Sequence, residues 1–174
     1  MNAQDVSIDT SDIEKTIGML NRVGVSPQKA INKGTSKAAL MLKRHVRSEA
    51  PVGKPPHGGT LRKNIVVRAE SNRGRKGRKV REVTFKGGKE ANALLQRPIK
   101  EPGALGGKYP KAYYPASQEY GFLARAKGGG VQYIPGKYFM RDAADSHGDE
   151  AKELMTDTVM KELEKIWQEK TQTG

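Results

Sequence analysis

The residues whose types could do chemistry are three histidines, one glutamate set among aromatics, and a glycine-lysine run. His45, His57 and His147 are far apart in the chain, and an imidazole ligates a metal or carries a proton only where the fold brings it partners. His147 with Asp149 and Glu150 comes nearest to a metal cluster, but on a helix these residues face different sides, so no metal is expected. His45 lies on or beside the apolar face of a helix and reads as a packed histidine. His57 and Glu119 are types that could pass protons in RNA cleavage, but their spacing gives that reading no support. A phosphate-binding loop needs Gly, four residues, then Gly-Lys-Ser/Thr, so that amides wrap the phosphates and a hydroxyl reaches the metal. The run from Gly103 to Tyr109 fails on both spacing and hydroxyl. There is no Gly-x-Ser-x-Gly elbow, and with no cysteine there is no thiolate nucleophile, disulfide or Cys-based zinc site. The expectation is a protein without catalytic residues, cofactor or metal, and hence not an enzyme.

Charge says more than chemistry. Residues 1–53 hold eight Lys/Arg against five Asp/Glu, residues 54–111 sixteen against four, and residues 112–174 eight against ten. Nearly all of the net charge of +13 therefore sits in the middle third. Its densest part is Arg73, Arg75, Lys76, Arg78 and Lys79, a glycine-punctuated basic finger. Such concentration suggests an acidic partner, either nucleic acid or an acidic protein face, with a solvated loop as the plain alternative. No aromatic residue interleaves with these charges, so the stacking used by single-stranded nucleic-acid binders is missing.

The elements that must position these residues follow from periodicity. The length of 174 residues favours one domain, with residues 1–10 a flexible N-terminus and 87–111 an inserted arm rich in Gly and Pro. Ile13, Ile17 and Leu20 have helical spacing. Ser26-Pro27 caps and opens a second helix to about Glu49, whose apolar face is Ala30, Ile31, Gly34, Thr35, Ala38, Leu42 and Val46. That face is small at Ala30, Gly34 and Ala38, so something must pack close there. Thr60 is expected to cap a short turn, followed by a strand Ile65 to Ala69, the basic tip, and a return strand Val80 to Lys86. Tyr113 to Phe122 reads as a strand ending in a glycine turn, and Leu123 to Gly130 as a flexible basic tip. Val131 to Ile134 then reads as a strand, with Pro135-Gly136 turning it into a last helix pinned by Tyr138, Phe139 and Met140. His147-Gly148 is expected to bend that helix near its start. No apolar run approaches the ~20 residues of a membrane span, and the N-terminus lacks a basic and apolar leader, so a soluble, unexported protein is expected.

Three segments in order resemble a known family. They are Ala50-Pro51-Val52-Gly53 followed by Gly59-Thr60-Leu61-Arg62-Lys63-Asn64-Ile65; Tyr113-Tyr114-Pro115-Ala116-Ser117-Gln118-Glu119-Tyr120-Gly121; and Pro135-Gly136-Lys137-Tyr138-Phe139-Met140-Arg141-Asp142-Ala143-Ala144. They resemble the tail-completion, or neck, proteins of long-tailed bacteriophages, minor tail components that join head to tail. The resemblance implies an α+β fold: a small antiparallel sheet packed by a long N-terminal helix and a long C-terminal helix, with an extended basic hairpin and a loop arm. It implies a non-enzymatic virion protein, present in the host cytoplasm during assembly. It also implies a ring of its own copies, six favoured, between the head connector and the tail-tube or tail-terminator protein. Thr60, Leu61 and Arg62 would order the approach to the first long strand, and Gly121 would close the aromatic segment. Glu119 would be a buried or interfacial carboxylate paired with Arg62 or Arg141, or else a surface residue at a strand end. Tyr138 and Phe139 would anchor the last helix. The basic finger would either line a lumen, making transient phosphate contacts with packaged DNA, or grip an acidic face of a neighbouring ring. The second is preferred, because tight binding would hinder DNA passage. The run Lys54-Pro55-Pro56-His57 and the long arm depart from the family pattern. The alternative to this reading is a sequence-independent nucleic-acid-binding protein using the basic middle third.

Overall fold

The computed structural model describes residues 15, 17–19, 21, 26–53, 58–69, 80–87, 95–98, 111–126 and 128–172. The fold is α+β, as the sequence predicts: two long helices and several short strands. Lys15, Ile17, Gly18, Met19 and Asn21 are helical. Helix α1 spans Gln28–Glu49, α2 is the single turn Thr60–Lys63, α3 is Tyr114–Tyr120 and α4 is Phe139–Gln172. The strands are β1 (Ile65–Ala69), β2 (Arg81–Phe85), β3 (Gln96–Pro98), β4 (Lys111–Tyr113), β5 (Gly121–Arg125) and β6 (Val131–Pro135). They form three two-stranded sheets, β1-β2, β3-β4 and β5-β6. The described residues fall into two compact units.

One unit draws on residues within 1–41, 69–82 and 148–174. Helix α1 begins as its sequence dictates: the Gln28 amide donates to Ser26 Oγ at 3.4 Å, and Ile31 N donates to Pro27 O at 3.1 Å. Proline costs nothing there because its missing N–H would have had no helical partner. Ala30, Val159 and Leu163 are buried together, and Met155, Met160 and Ile166 pack against them. Gly34 is the point of closest approach: a Cβ there would lie 2.9 Å from the Met155 carbonyl oxygen and would strike the Val159 side chain. The small face thus meets the apolar stripe of α4 at Ala30 and Gly34, and Ala38 is buried too; of that stripe Ala151, Thr158, Val159 and Leu163 are buried and Trp167 is exposed. Lys33 Nζ donates to Glu162, closing the rim of this contact.

The other unit draws on residues 42–68 and 83–147. Its core is Val46, Ala50, Leu61, Ile65, Phe139 and Ala143, with Val83, Phe85, Tyr114 and Met140 packed around it. Phe85 meets Phe139 and Tyr113 edge-on, at 6.4 and 6.3 Å between centroids. Helix α1 ends where predicted, with Ala50 N donating to Val46 O at 3.0 Å before Pro51. Arg62 holds that end: its Nε donates to Ala50 O (2.9 Å) and its Nη2 to Ser48 O (2.8 Å). A cation at a helix C-terminus satisfies carbonyls that have no helical partner.

Several expectations are corrected. Thr60 does not cap the short turn; Gly59 occupies the cap position at φ 79°, with no side-chain cap bond. Tyr114–Tyr120 is a helix and not a strand, because Pro115 sits in its first turn, where proline is pre-set for helix. Residues 123–125 belong to strand β5, so the presumed flexible tip shrinks to a turn in which Gly129 and Gly130 take φ of 84° and 80°. The arm is anchored by β3 and β4, paired antiparallel from Gln96↔Tyr113 to Pro98↔Lys111, with Leu95 fully buried beside them. Helix α4 continues through His147-Gly148 without interruption.

Two outcomes follow for the first unit. Gly34→Val should lower stability by about 2 kcal/mol or more, since overpacking against a backbone carbonyl outweighs the slight gain in helix propensity. An unchanged urea midpoint would mean that this close contact does not exist. The second concerns Glu162, whose carboxyl is held below the ordinary range by the hydrogen bond from Lys33, helped by the charges of Lys33, Lys165 and Lys29. A carboxyl depressed in the fold stabilises it above the ordinary value and loses that contribution as pH falls through the folded value. Lys33→Met should therefore destabilise at neutral pH and matter little in acid below that value, as pH-dependent unfolding would report.

Candidate functional site

The second and third family-like segments meet at one joint, where the C-terminus of α3 meets the strand-to-helix junction at residues 135–141. Helix α3 ends with three carbonyls lacking helical partners, and each accepts a bond from this junction or the strand before it. Lys137 N donates to Gln118 O (2.8 Å), Tyr138 N donates to Glu119 O (3.1 Å), and Tyr133 Oη donates to Tyr120 O. The Glu119 carboxylate works in the opposite direction. One oxygen accepts from Met140 N at 3.0 Å and the other from Arg141 N at 3.1 Å. These amides belong to the first turn of α4, where N–H groups have no helical acceptor and the helix dipole favours an anion. Glu119 is only 5% exposed, so it is buried as expected and not a surface residue, but it accepts from these backbone amides and not from the side chain of Arg62 or Arg141. Arg62 is engaged at the end of α1, and the Arg141 guanidinium stacks over the Tyr138 ring at 4.2 Å and approaches Asp142 at 3.3 Å.

The tightness of the joint explains its glycines and its one strained residue. Gly121 takes φ 86° and ψ −176°, a region essentially reserved for glycine, and a Cβ on it would collide with the Ile134 carbonyl. A Cβ on Gly136 would collide with the Glu119 carbonyl. Tyr138 has φ 47°, a left-handed conformation costing a side-chain-bearing residue roughly 1–2 kcal/mol. It is held there by its amide bond to Glu119, by the Arg141 stack, and by the Tyr133 hydroxyl 3.4 Å from its own. That Tyr138 contact raises the Tyr133 phenol above its ordinary value. Phe139 is 2% exposed in the core and Leu61 equally so, while Thr60 gives its carbonyl to Asn64 Nδ2 at 2.8 Å.

From this joint the hairpin β5-β6 projects in register from Gly121↔Pro135 to Arg125↔Val131. Leu123, Tyr133 and Val131 share one face and are each more than half exposed, and Phe122 on the opposite face is 44% exposed. Among the described residues neither outer edge of this hairpin pairs with another strand. Large apolar side chains thus stand exposed on both faces of a hairpin whose outer edges are open among the described residues.

The basic finger Arg73, Arg75, Lys76, Arg78 and Lys79 lies outside the described residues, as do His57 and most of the arm. His45 and His147, unconnected in sequence, stack on each other with centroids 3.5 Å apart. No family model, curated protein or solved structure matches the chain.

Glu119→Ala should cost about 2 kcal/mol, because it removes a buried acceptor for two helix-end donors. Glu119→Gln, which keeps one acceptor oxygen, should cost less. Chemical unfolding of the three proteins checks the order, and equal stability of all three would remove Glu119 from its capping role.

Proposed function

We propose that this protein is a structural, non-enzymatic joining subunit of a phage neck, assembling with its own copies into a ring, six favoured, between head connector and tail tube. The observation that carries the reading is the β5-β6 hairpin: an open-edged, two-faced apolar surface fixed at its base by the Glu119 joint. A small protein that presents such a hairpin gains by pairing its edges and covering its faces with a neighbour. The resemblance of the Thr60-Leu61-Arg62, Glu119-Tyr120-Gly121 and Tyr138-Phe139 segments to neck proteins supplies the kind of assembly. The charge of the middle third suits an acidic face on the adjoining ring, with transient DNA contact in passing. No described helix is long and apolar enough to cross a membrane.

Light scattering and electron microscopy of the purified protein, alone and with its connector and tail-tube neighbours, should reveal rings. Leu123→Glu combined with Val131→Glu should abolish them while leaving the subunit's stability within about 0.5 kcal/mol, since both side chains are exposed. A strict monomer under every condition would rule the proposal out. Retention on DNA that falls steeply with salt, in the absence of any ring, would favour the nucleic-acid-binding alternative.

A further inference from the structure

We propose that His45, Glu49 and His147 form a binding site for a divalent first-row metal ion, with Zn2+ the ion its donors suit best. Helix α1 places His45 and Glu49 four residues apart, the spacing that puts two side chains on one face. The first part of α4 brings His147 against them. The two imidazoles stack with centroids 3.5 Å apart and planes inclined by 21°, and a nitrogen of each lies within 4.8 Å of one on the other. His147 Nε2 lies 3.9 Å from Glu49 Oε1.

Two imidazoles and one carboxylate are the protein donors of many open zinc centres, and imidazole with oxygen suits the later first-row ions generally. Bonds of about 2.0–2.2 Å place donors of a tetrahedral ion roughly 3.5 Å apart. The His147–Glu49 separation of 3.9 Å is already close to that, and the imidazole nitrogens, within 4.8 Å of each other, need to approach by about an ångström. Stacked rings do not aim their in-plane lone pairs at one point, so ligation requires the imidazoles to turn about χ2, a torsion with broad wells. Partial exposure leaves room for that turn: the His147 and Glu49 side chains are 27% and 34% exposed. The same exposure lets an ion enter and leaves a position for water. With no cysteine in the chain, no thiolate competes for a zinc-like ion.

The rival account is a bare contact between Glu49 and His147, with His45 as a passive stacking partner. Calorimetric titration of the full chain with ZnCl2 separates the two. The proposal expects saturable binding of one ion per chain and an unfolding midpoint that rises with Zn2+ concentration. His45→Gln and His147→Gln should each weaken binding roughly tenfold or more, since even loss of a residue that only orients a ligand costs 10–100-fold. His57→Gln should leave it unchanged. Circular dichroism and the metal-free midpoint of each variant show whether it still folds. Substituting Co2+ into the unaltered protein supplies a readout independent of any variant, because ligation by imidazole produces visible d–d absorption. No saturable Zn2+ binding, unaltered affinity after His45→Gln, or a Co2+ spectrum identical to the hydrated ion would each overturn the proposal.

Discussion

The structure around the hairpin depends on one buried charge. Leaving the Glu119 carboxylate in the interior without partners would cost several kcal/mol, far more than a surface ion pair returns. Its two oxygens instead take the amides of Met140 and Arg141, donors that would otherwise be stranded at the start of a 34-residue helix. One side chain thereby satisfies the end of α4 while the carbonyls of Gln118, Glu119 and Tyr120 satisfy the preceding strand and turn. Exchange of this kind fixes direction as well as energy. Helix α3, hairpin and α4 can meet in only one geometry if all five bonds are to form. The left-handed Tyr138 is tolerated because so much surrounding structure determines it.

The legible and illegible parts of the fold divide along physical lines. Helix α1 was readable from Ser26-Pro27 to Glu49 because its signals are local: a cap, a proline at the first helical position, a four-residue apolar rhythm and a proline stop. Strands β1 and β6 were readable for the same reason. Helix α3 was not, because Tyr113, Tyr114, Tyr120 and Phe122 are strand-favouring types. At seven residues the helix is too short to display a period that could outvote them. The reading from the family-like segments gave Tyr138 and Phe139 to the anchor of the last helix and Glu119 a buried place, but did not bring them to one junction. Nor did it reveal how Glu119 is used, because a side chain that binds backbone amides twenty-one residues away leaves no complementary residue type to read. The same holds for His45 and His147, whose contact exists only once two helices are packed.

The helix pair of the first unit uses a different device. Gly34 lets the α1 backbone approach Met155 and Val159 closely, so small residues and not bulk create the contact. Methionines at 155 and 160 complete it, and an unbranched thioether adapts to an uneven gap better than a branched side chain does. Among the described residues, the buried set of this unit contains no aromatic ring. Phe85, Tyr113, Tyr114 and Phe139 serve the core of the other unit, and Tyr120, Phe122, Tyr133 and Tyr138 the joint and the hairpin, where shape and direction matter more than volume.

Natural proteins that keep exposed strand edges solitary usually protect them with lysines, prolines or bulges. The β5-β6 hairpin has an unbroken antiparallel register, and its polar or breaking residues along ten positions are Gly121 and Pro135 at the base, Arg125 and Gln132. Its tip turns on Gly129 and Gly130, which carry no side chain. A hairpin left this unguarded would invite indiscriminate pairing if it were loose. Anchoring at Gly121 and Gly136, where no side chain fits, and capping by Glu119 limit the approaches it can offer. Five bonds at the base thus give an exposed apolar hairpin one direction of presentation, which narrows the ways another strand could pair with it.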